Sequence, residues 1–340
     1  MQAVYFSRRG EFEVRELAAP VLQADDDVLV RVEVAGLCGT DLHIVSVPQL
    51  HAAREGIVLG HEFVGRVVAL GPRAHGLRVG DRVIAGPNVP CGHCEWCRGG
   101  RRNLCTDNRT LGITAAGGFA EFVRVPARCA YPVPPGLAPD LAVFAEPLSC
   151  VVNGMQLLAG RPIERSVVLG AGAIGLYFLR LLRHFGAIQR VSTEPVRARR
   201  EQALRSGATH TLDPEASSVA RDVVGLTQGG ADLVVDTTGH LLADALAMTR
   251  RGGAVLLFGM DQSCRAPVSP YDIVREEKAV LGCFANNDCI PRALTLIPHL
   301  ALDELITHRF PLQRFDDALS TLRERVSVKT LLDLTRVEHT

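Results

Sequence analysis

The sequence predicts a two-domain fold, in which a mostly β domain is joined to an α/β domain built on a doubly wound parallel sheet. The chain has 340 residues, and single hydrophobic cores stop growing beyond about 250–300 residues. The first 150 residues are rich in β-branched runs that end in turn residues, whereas strand-like and helix-like segments alternate after residue 150. Alternation with nearly all-apolar strands is typical of a parallel sheet buried on both faces.

Strands of the first domain are predicted at β-branched runs bounded by glycine or proline. These runs are DVLVRVEVAG at 27–36, EFVGRVVALG at 62–71, VGDRVIAGP at 79–87 and FAEFVRVP at 119–126. Helical periodicity is scarce here. The domain is therefore predicted to span residues 1–150, with a cysteine-rich lobe at about 88–108.

The α/β domain is predicted over residues 151–289. The alternation ends after AVLGCFANN at 279–287. The last fifty or so residues are predicted to hold one helix, RALTLIPHL at 292–300, and a final strand, KTLLDL at 329–334. Residues 290–340 are expected to return to the first domain and complete it.

Composition excludes several classes of function. Lys+Arg and Asp+Glu both number 37, so the formal net charge is zero and nothing suggests a nucleic-acid partner. The longest apolar stretches are interrupted by Glu, Pro or Gly, and the N-terminus lacks the apolar segment of a signal peptide. We therefore expect a cytoplasmic protein with no membrane partner. Ten cysteines in such a chain favour metal binding or catalysis over disulfides.

Four cysteines lie close together in CGHCEWCRGGRRNLC at 91–105, with two, two and seven residues between them. They are Cys91, Cys94, Cys97 and Cys105. A shell of four thiolates leaves no position for substrate, so a zinc ion bound here would be structural. The spacing also resembles some iron–sulfur sequences, but Thr106 stands where the bacterial ferredoxin pattern has proline. Zinc would supply the folding free energy that this polar lobe lacks.

A glycine turn, VVLGAGAIG, joins an apolar strand to a helix at the start of the α/β domain. Gly170, Gly172 and Gly175 have the G-x-G-x-x-G spacing that binds dinucleotides. With Ala173 and Ile174 between them, they are predicted to hold the pyrophosphate at the helix N-terminus, where free N–H groups attract anions. The alternative is a glycine turn in some other βαβ unit.

The adenosine ribose is predicted to contact Glu194, twenty-four residues beyond Gly170 at the end of the second strand. A carboxylate there can accept hydrogen bonds from both ribose hydroxyls of NAD and would repel a 2′-phosphate. Arg197, Arg199 and Arg200 follow; one of them, with Arg199 as the candidate, could accommodate NADP, or all three could lie on the exposed face of the next helix. The sequence favours NAD.

A dispersed set of polar residues completes the candidate sites. Cys38, His61 and Glu146 offer a thiolate, an imidazole and a carboxylate. Three protein ligands with an open fourth position are typical of a catalytic zinc, although spacing alone does not bring these residues together.

The chain as a whole resembles zinc-dependent medium-chain alcohol dehydrogenases, close to the branch of sorbitol, polyol and threonine dehydrogenases. The resemblance rests on CGTDLH, GHEFVGRVVALG, the four-cysteine segment, AEPLSC, GAGAIG and FANNDCIPRALTLI, in that order. It implies a GroES-like, partly barrelled β catalytic domain joined to a Rossmann domain, and a homodimer or homotetramer.

The resemblance also implies roles for individual residues. Cys38, His61 and Glu146 match the catalytic zinc ligands, and Glu62 matches an acid beside the metal that binds it directly in some members. His61 and Glu62 could share one ion only if the backbone turned between them, because neighbours on a strand face opposite ways. Thr40 and His43 match the proton relay. The four-cysteine lobe matches the structural zinc site, so two zinc ions per chain are expected.

The implied reaction is hydride transfer between NAD and a secondary alcohol of a polyol, sugar or cyclitol, with threonine-like amino alcohols as the second candidate. Ala285 stands where sorbitol enzymes carry an arginine, and Ile44 where they carry an aromatic residue, which argues against sorbitol itself. Asn286, Asn287 and Asp288 are equally consistent with substrate recognition and with shaping a loop. A zinc-ribbon binding module and a zinc-free reductase are the alternatives from other classes.

Overall fold

The computed structural model describes residues 1–215 and 218–335, and the chain folds into two compact units. The first comprises Met1–Ser149 together with the described part of the segment that begins at Asn286, and the second is Cys150–Ala285. Residues 336–340, at the end of the predicted 290–340 segment, lie outside the described residues. Within the described ranges, no helix has the length and apolar character needed to span a membrane.

The chain before residue 150 consists mainly of short strands. They are β1 Gln2–Arg8, β2 Glu11–Glu16, β3 Asp27–Gly36, β4 Ile57–Val58, β5 Glu62–Leu70, β6 Arg82–Ala85, β7 Asn88–Val89, β8 Arg109–Thr110, β9 Phe122–Pro126 and β10 Ala130–Pro132. The helices that begin in this part are α1 Gly39–Val45, α2 Glu95–Arg98, α3 Pro139–Ala142 and α4 Ala145–Leu157. The sequence analysis did not identify α4, because Glu146, Pro147 and Gly154 interrupt its apolar pattern. Pro147 lies in the first turn, where its missing N–H removes no helical hydrogen bond.

The second unit alternates strands and helices, as predicted. The strands are β11 Arg165–Leu169, β12 Gln189–Thr193, β13 His210–Leu212, β14 Ala231–Asp236, β15 Thr249–Leu257 and β16 Ala279–Gly282. The helices are α5 Ala173–His184, α6 Arg197–Arg205, α7 Val219–Leu226, α8 Leu242–Met248 and α9 Pro270–Arg275. All strands are parallel, in the order β13-β12-β11-β14-β15-β16. The order reverses direction at β11, which is the switch point where such sheets bind dinucleotides.

The returning segment contains more regular structure than the sequence analysis predicted. It holds α10 Ile290–Leu296, β17 Ile306–Pro311, α11 Phe315–Arg323 and β18 Lys329–Asp333. The prediction of a single helix was wrong, because α11 was overlooked. Its apolar residues Phe315, Ala318 and Leu319 are fully buried, as expected for helical spacing on one face.

The main sheet of the first unit has the order β10-β6-β5-β3-β18-β17, and β9 also pairs with β3. β3 is central and antiparallel to β5, β9 and β18. Phe6, Phe63, Phe119 and Phe315 are among the fully buried side chains of the core beneath this sheet. The GroES-like β domain with a Rossmann-type parallel sheet, predicted as the fold class, is confirmed.

Candidate metal and dinucleotide sites

The end of β3 places Cys38 beside two neighbouring strands. Gly36, the last residue of β3, lies opposite Glu62 on β5 and opposite Leu331 on β18. Ligand atoms of Cys38, His61 and Glu62 all lie within 4.8 Å of one another. A thiolate, an imidazole and a carboxylate in this arrangement form a donor set that suits Zn²⁺.

The backbone bends at Gly60 and His61, directly before β5 begins. Gly60 has φ +95°, the chain bends at His61, and β5 begins only at Glu62. A side chain at position 60 would collide with Phe119, because a Cβ there would lie 2.4 Å from its ring. The bend lets the adjacent side chains of His61 and Glu62 face the same point, which is the condition that the sequence analysis set.

Asp41 is a buried residue that the sequence analysis missed. Its Oδ2 accepts a hydrogen bond of 2.9 Å from the backbone N–H of Cys38, which caps α1. Its Oδ1 lies 3.4 Å from Nδ1 of His61. Burial lowers the pKa of His61, but the nearby Asp41 and Cys38 charges raise it well above its usual range. A carboxylate beside one ring nitrogen of a histidine leaves the other ring nitrogen available to bind a metal ion.

Lys329, on β18, forms a buried ion pair with Glu62. The ammonium donates to Oε2 of Glu62, and the residues are 2% and 1% exposed. Gly36 makes room for the pair, since a Cβ there would lie 2.5 Å from Oε2 of Glu62 and 2.7 Å from Nζ of Lys329. Nζ also lies 5.9 Å from the centre of the Phe144 ring. The only sequence signal was that Lys329 is one of two lysines in the chain.

Glu146 lies in the first turn of α4 and is 7% exposed. Burial raises its pKa to about 7; the charge of His61 opposes this rise and the charge of Glu62 adds to it. Glu146 is therefore an electrostatic neighbour of the cluster, but it is outside the group whose ligand atoms lie within 4.8 Å of one another.

The two predicted relay residues lie on α1. Thr40 is partly buried, and its Oγ1 lies 3.7 Å from Sγ of Cys38. His43 is one turn further along the same helix and is exposed. Partial burial of its ring and the neighbouring His51 both lower the pKa of His43. A neutral imidazole near pH 7 can accept a proton and release it to water.

The cysteine-rich lobe lies between β7 and β8, and it brings its four thiols together. The sulfur atoms of Cys91, Cys94, Cys97 and Cys105 all lie within 4.8 Å of one another. The Cys94 and Cys105 sulfurs are 3.9 Å apart, close to the spacing of about 3.8 Å that Zn–S bonds of about 2.3 Å impose in a tetrahedron. A backbone hydrogen bond from Cys97 contributes most to lowering the pKa of Cys94 to about 6. The lobe therefore fits a closed tetrahedral metal site.

The predicted glycine turn follows β11 at the switch point of the parallel sheet. Gly170 has φ +92°, a conformation that favours glycine. Gly172 is the N-cap of α5, and a Cβ there would meet nothing within 4 Å, so open space lies at the helix N-terminus. A Cβ at Gly175 would lie 2.0 Å from the carbonyl oxygen of Gly170, so only glycine allows this close approach. Ala173 and Ile174 form the first turn of α5.

Glu194 follows β12 and lies against the glycine turn. Its Oε2 accepts the N–H of Ala171 at 2.9 Å, its Oε1 accepts the N–H of Val196 at 3.1 Å, and the residue is 5% exposed. Arg200 donates to the carbonyl of Glu194 and pairs with Asp213 at 2.9 Å. Arg199 lies on α6, as do Arg197 and Arg200. The turn and a fixed carboxylate are thus adjacent within the second unit.

The polar residues of the FANNDC segment have different surroundings. Asn287 bonds to the cysteine-rich lobe through both atoms of its amide, and Asp288 pairs with Arg102 in the lobe. Asn286 is buried, and its Nδ2 has no hydrogen-bond partner among the described residues. The sequence analysis left the roles of Asn287 and Asp288 open, and these contacts with the lobe give both residues a structural role.

Two family models match the chain. The model described as the alcohol dehydrogenase GroES-like domain matches residues 24–135, and the model described as zinc-binding dehydrogenase matches residues 173–299. Among curated proteins, D-arabinitol dehydrogenase 1 of Uromyces fabae is 30% identical, covering 97% of this chain and 96% of that protein. D-altritol 5-dehydrogenase of Agrobacterium fabrum is 34% identical, with coverages of 92% and 93%. L-threonine 3-dehydrogenase of Bacillus subtilis is 32% identical, with coverages of 95% and 96%.

Solved structures give the same result. A zinc-binding dehydrogenase of Sinorhizobium meliloti 1021, bound to NADP, superposes with a TM-score of 0.92 at 34% identity, covering 98% of each chain. An alcohol dehydrogenase from Thermus sp. ATN1 superposes with a TM-score of 0.92 at 32% identity, covering 98% of this chain and 99% of that one. From its sequence motifs, its fold and these relatives, the chain belongs to the zinc-dependent medium-chain alcohol dehydrogenases, in the branch that contains the polyol and threonine dehydrogenases.

Proposed function

We propose that this protein is a zinc-dependent, NAD-linked oxidoreductase that interconverts a secondary alcohol and a ketone on a polyol, sugar or cyclitol. The observation that carries the proposal is the buried cluster of Cys38, His61 and Glu62, whose ligand atoms lie within 4.8 Å of one another. The relatives that act on arabinitol and altritol support the substrate class.

Two zinc ions per chain fit the donor sets. The first would be held by Cys38 and His61 with a carboxylate from Glu146, and Glu62 would lie beside it or replace that carboxylate. The second would be held by the four thiols of the lobe. The first set contains three kinds of donor and leaves room for an exchangeable ligand, whereas four thiolates complete a tetrahedral shell. We therefore assign catalysis to the first ion and folding of the lobe to the second.

NAD is favoured over NADP because of Glu194. Its carboxylate is fixed beside the glycine turn by two backbone N–H groups, and it retains lone pairs for ribose hydroxyls. A 2′-phosphate would meet this negative charge. Arg200 is engaged with Asp213 and with the carbonyl of Glu194, which makes it a weaker candidate for a phosphate. One relative is bound to NADP, so the activity is measured with both cofactors.

When bound, zinc would supply Lewis acidity that lowers the pKa of an alcohol, and NAD would supply the hydride chemistry. The chain's own residues position these groups and move the proton. Thr40, whose Oγ1 lies near Sγ of Cys38, would take the proton from the substrate hydroxyl. His43, one turn along α1 and exposed, would pass it to solvent. Asp41 would keep the His61 ring oriented.

A threonine-type amino alcohol dehydrogenase is the second candidate. The specific support is that relatives named L-threonine 3-dehydrogenase match over nearly the whole chain at 30–32% identity. Amino alcohols and polyols both present a secondary hydroxyl beside another polar group, so the same metal and relay residues would serve either substrate.

We further propose that the protein is a cytoplasmic homodimer or homotetramer. Free cysteines persist in reducing compartments, so the thiol-containing sites favour the cytoplasm. On the second unit, β16 is an edge strand of the parallel sheet, and Tyr271, Val274 and Val280 are exposed apolar residues on α9 and β16. An exposed apolar edge suits pairing with a second copy.

The test is NADH formation by the purified enzyme with matched panels of polyols, cyclitols, sugars, threonine and simple alcohols, using NAD and NADP in parallel. Turnover of a polyol or cyclitol with NAD is the expected result. Turnover of threonine alone would favour the second candidate. Purified protein with fewer than two zinc ions per chain and no activity would contradict the proposal.

A further inference from the structure

The side chain of Asn287 joins the cysteine-rich lobe to a segment 185 residues away in sequence. Oδ1 of Asn287 accepts the backbone N–H of Arg102 at 3.0 Å, and its Nδ2 donates to the backbone carbonyl of Gly100 at 2.9 Å. The amide thus pairs with the lobe backbone through both of its polar atoms. Gly100 and Arg102 lie between Cys97 and Cys105, inside the loop that the two thiols close.

The same segment makes a second contact with the lobe. Nη1 of Arg102 lies 3.0 Å from Oδ2 of Asp288, with both side chains about half exposed. Asp288 has φ +54°, an uncommon conformation for a residue other than glycine. Water screens this exposed ion pair, and the two hydrogen bonds of Asn287 to the lobe are also exposed. Asn287 nevertheless bonds to the lobe backbone twice through one rigid amide, so its contact has a defined geometry that a single ion pair lacks.

The segment begins where the chain re-enters the first unit. The unit boundary lies between Ala285 and Asn286, and α10 starts at Ile290. We call the two hydrogen bonds of Asn287 to Gly100 and Arg102 the clamp. Beyond the clamp, Ile290 lies near Gly86, which follows β6, since a Cβ on Gly86 would lie 3.1 Å from Cδ1 of Ile290. The clamp therefore holds the residues that immediately precede α10.

We propose that Asn287 is a positioning residue that couples metal occupancy of the four-cysteine lobe to the conformation of residues 286–289. The lobe backbone around Gly100 and Arg102 is polar, and its order depends on the metal that its thiols bind. When the lobe holds zinc, Gly100 presents a fixed carbonyl acceptor and Arg102 a fixed N–H donor to Asn287. When the lobe is empty, this pair of partners is lost and the segment is released.

Coupling of this kind is reciprocal. If zinc in the lobe stabilises the clamp, the clamp must strengthen zinc binding by the same factor. Two exposed hydrogen bonds, each at the low end of the usual contribution, predict that Asn287→Ala weakens the apparent zinc affinity of the lobe about fivefold. Asn287→Asp keeps the acceptor for Arg102 but loses the donor to Gly100, and should show about a threefold loss.

The first measurement is competition between the lobe and a chromogenic zinc chelator. A Cys38→Ser background confines the titration to the lobe ion. Thr295→Ala is the control, because Thr295 is exposed on α10 and its hydroxyl donates to the carbonyl of Arg292 within that helix. A graded loss from Asn287→Asp to Asn287→Ala, with Thr295→Ala unchanged, supports the coupling. Equal affinities in all variants would overturn it.

The second measurement is hydrogen exchange of peptides that contain residues 286–289, in the zinc-loaded protein and in a Cys94→Ser variant. Faster exchange in the variant is expected, and unchanged exchange would refute the inference. If Cys94→Ser does not fold, the chelator series still decides. The inference rests on the zinc proposed for the lobe, and metal analysis separates the two failures: a lobe without zinc contradicts the proposed function, whereas a zinc-loaded lobe without coupling contradicts this inference alone. Neither readout depends on the substrate.

Discussion

Replacing Lys329 by methionine is the sharpest test of how the metal pocket is stabilised. Lys329 and Glu62 are 2% and 1% exposed, and the ammonium donates directly to the carboxylate. Methionine fills a similar volume but leaves Glu62 without its cation. Breaking a buried ion pair from one side costs about 3–5 kcal/mol, because one charge remains buried and uncompensated.

The expected magnitude is large enough to measure by calorimetry. In a unit of about 200 residues, each 1 kcal/mol shifts the melting temperature by about 2–4 °C, so Lys329→Met should lower it by about 6–20 °C. The double variant Glu62→Gln/Lys329→Met removes both charges. It should therefore be more stable than Lys329→Met, although adding the costs of the two single changes would predict a lower stability.

A matched control is the only other lysine in the chain. Lys278, in the second unit, pairs with Glu276 and donates to the carbonyl of Leu246 at 2.8 Å. The Lys278 and Glu276 side chains are 10% and 29% exposed, so water still reaches the carboxylate and Lys278→Met should lower the melting temperature less than Lys329→Met does. The reasoning would be refuted if Lys329→Met melted as Lys278→Met does. It would also fail if the double variant were as unstable as the two single changes added together.

Three further predictions concern catalysis and binding. Cys38→Ser should abolish turnover but retain the lobe zinc, whereas Cys94→Ser should lose the lobe zinc and melt at a lower temperature. Metal analysis and calorimetry of both variants check this prediction. Unchanged turnover of Cys38→Ser would contradict the catalytic assignment. His43 should act as a base only when neutral, so kcat/KM for alcohol oxidation should fall as the pH drops through the pKa of His43, which lies below its usual value of 6.5; His43→Gln should remove that limb of the pH profile, and a profile that keeps it would exclude His43 as the relay. Glu194→Gln should raise KM for NAD about tenfold, since it weakens charged hydrogen bonds to the ribose. It should also reduce the preference for NAD over NADP. An unchanged ratio of the KM values for NAD and NADP would argue against ribose recognition by Glu194.

Features set by short, contiguous stretches could be predicted from the sequence. The strand over Asp27–Gly36 and the alternating second unit follow from local apolar patterns. The four thiols of the lobe lie within fifteen residues, so their spacing alone brings them into reach of one ion. The glycine turn is equally local, because its strand, turn and helix are consecutive.

Features that depend on strand register or on distant partners could not be predicted. Lys329 reaches Glu62 only because β18 and β5 both flank β3, and those residues are 267 positions apart. Asn287 meets Arg102 of the lobe across 185 positions. The helix α11 was overlooked because its apolar positions lie among charged residues. The contacts of Lys329 and Asn287 require the packed fold, which no window of the sequence contains, whereas the helical spacing of α11 is present in its own sequence and was missed.

Asp41 has a consequence for the dynamics of the site. One of its oxygens caps α1 at Cys38, and the other lies against the ring of His61. If the first turn of α1 frays, the cap is lost, the His61 ring loses its neighbour, and the helix that carries Thr40 and His43 loosens at the same moment. The metal ligands and the relay residues are thus expected to become disordered together, as one cooperative unit. Hydrogen exchange at α1 would therefore report directly the fraction of the enzyme that is inactive.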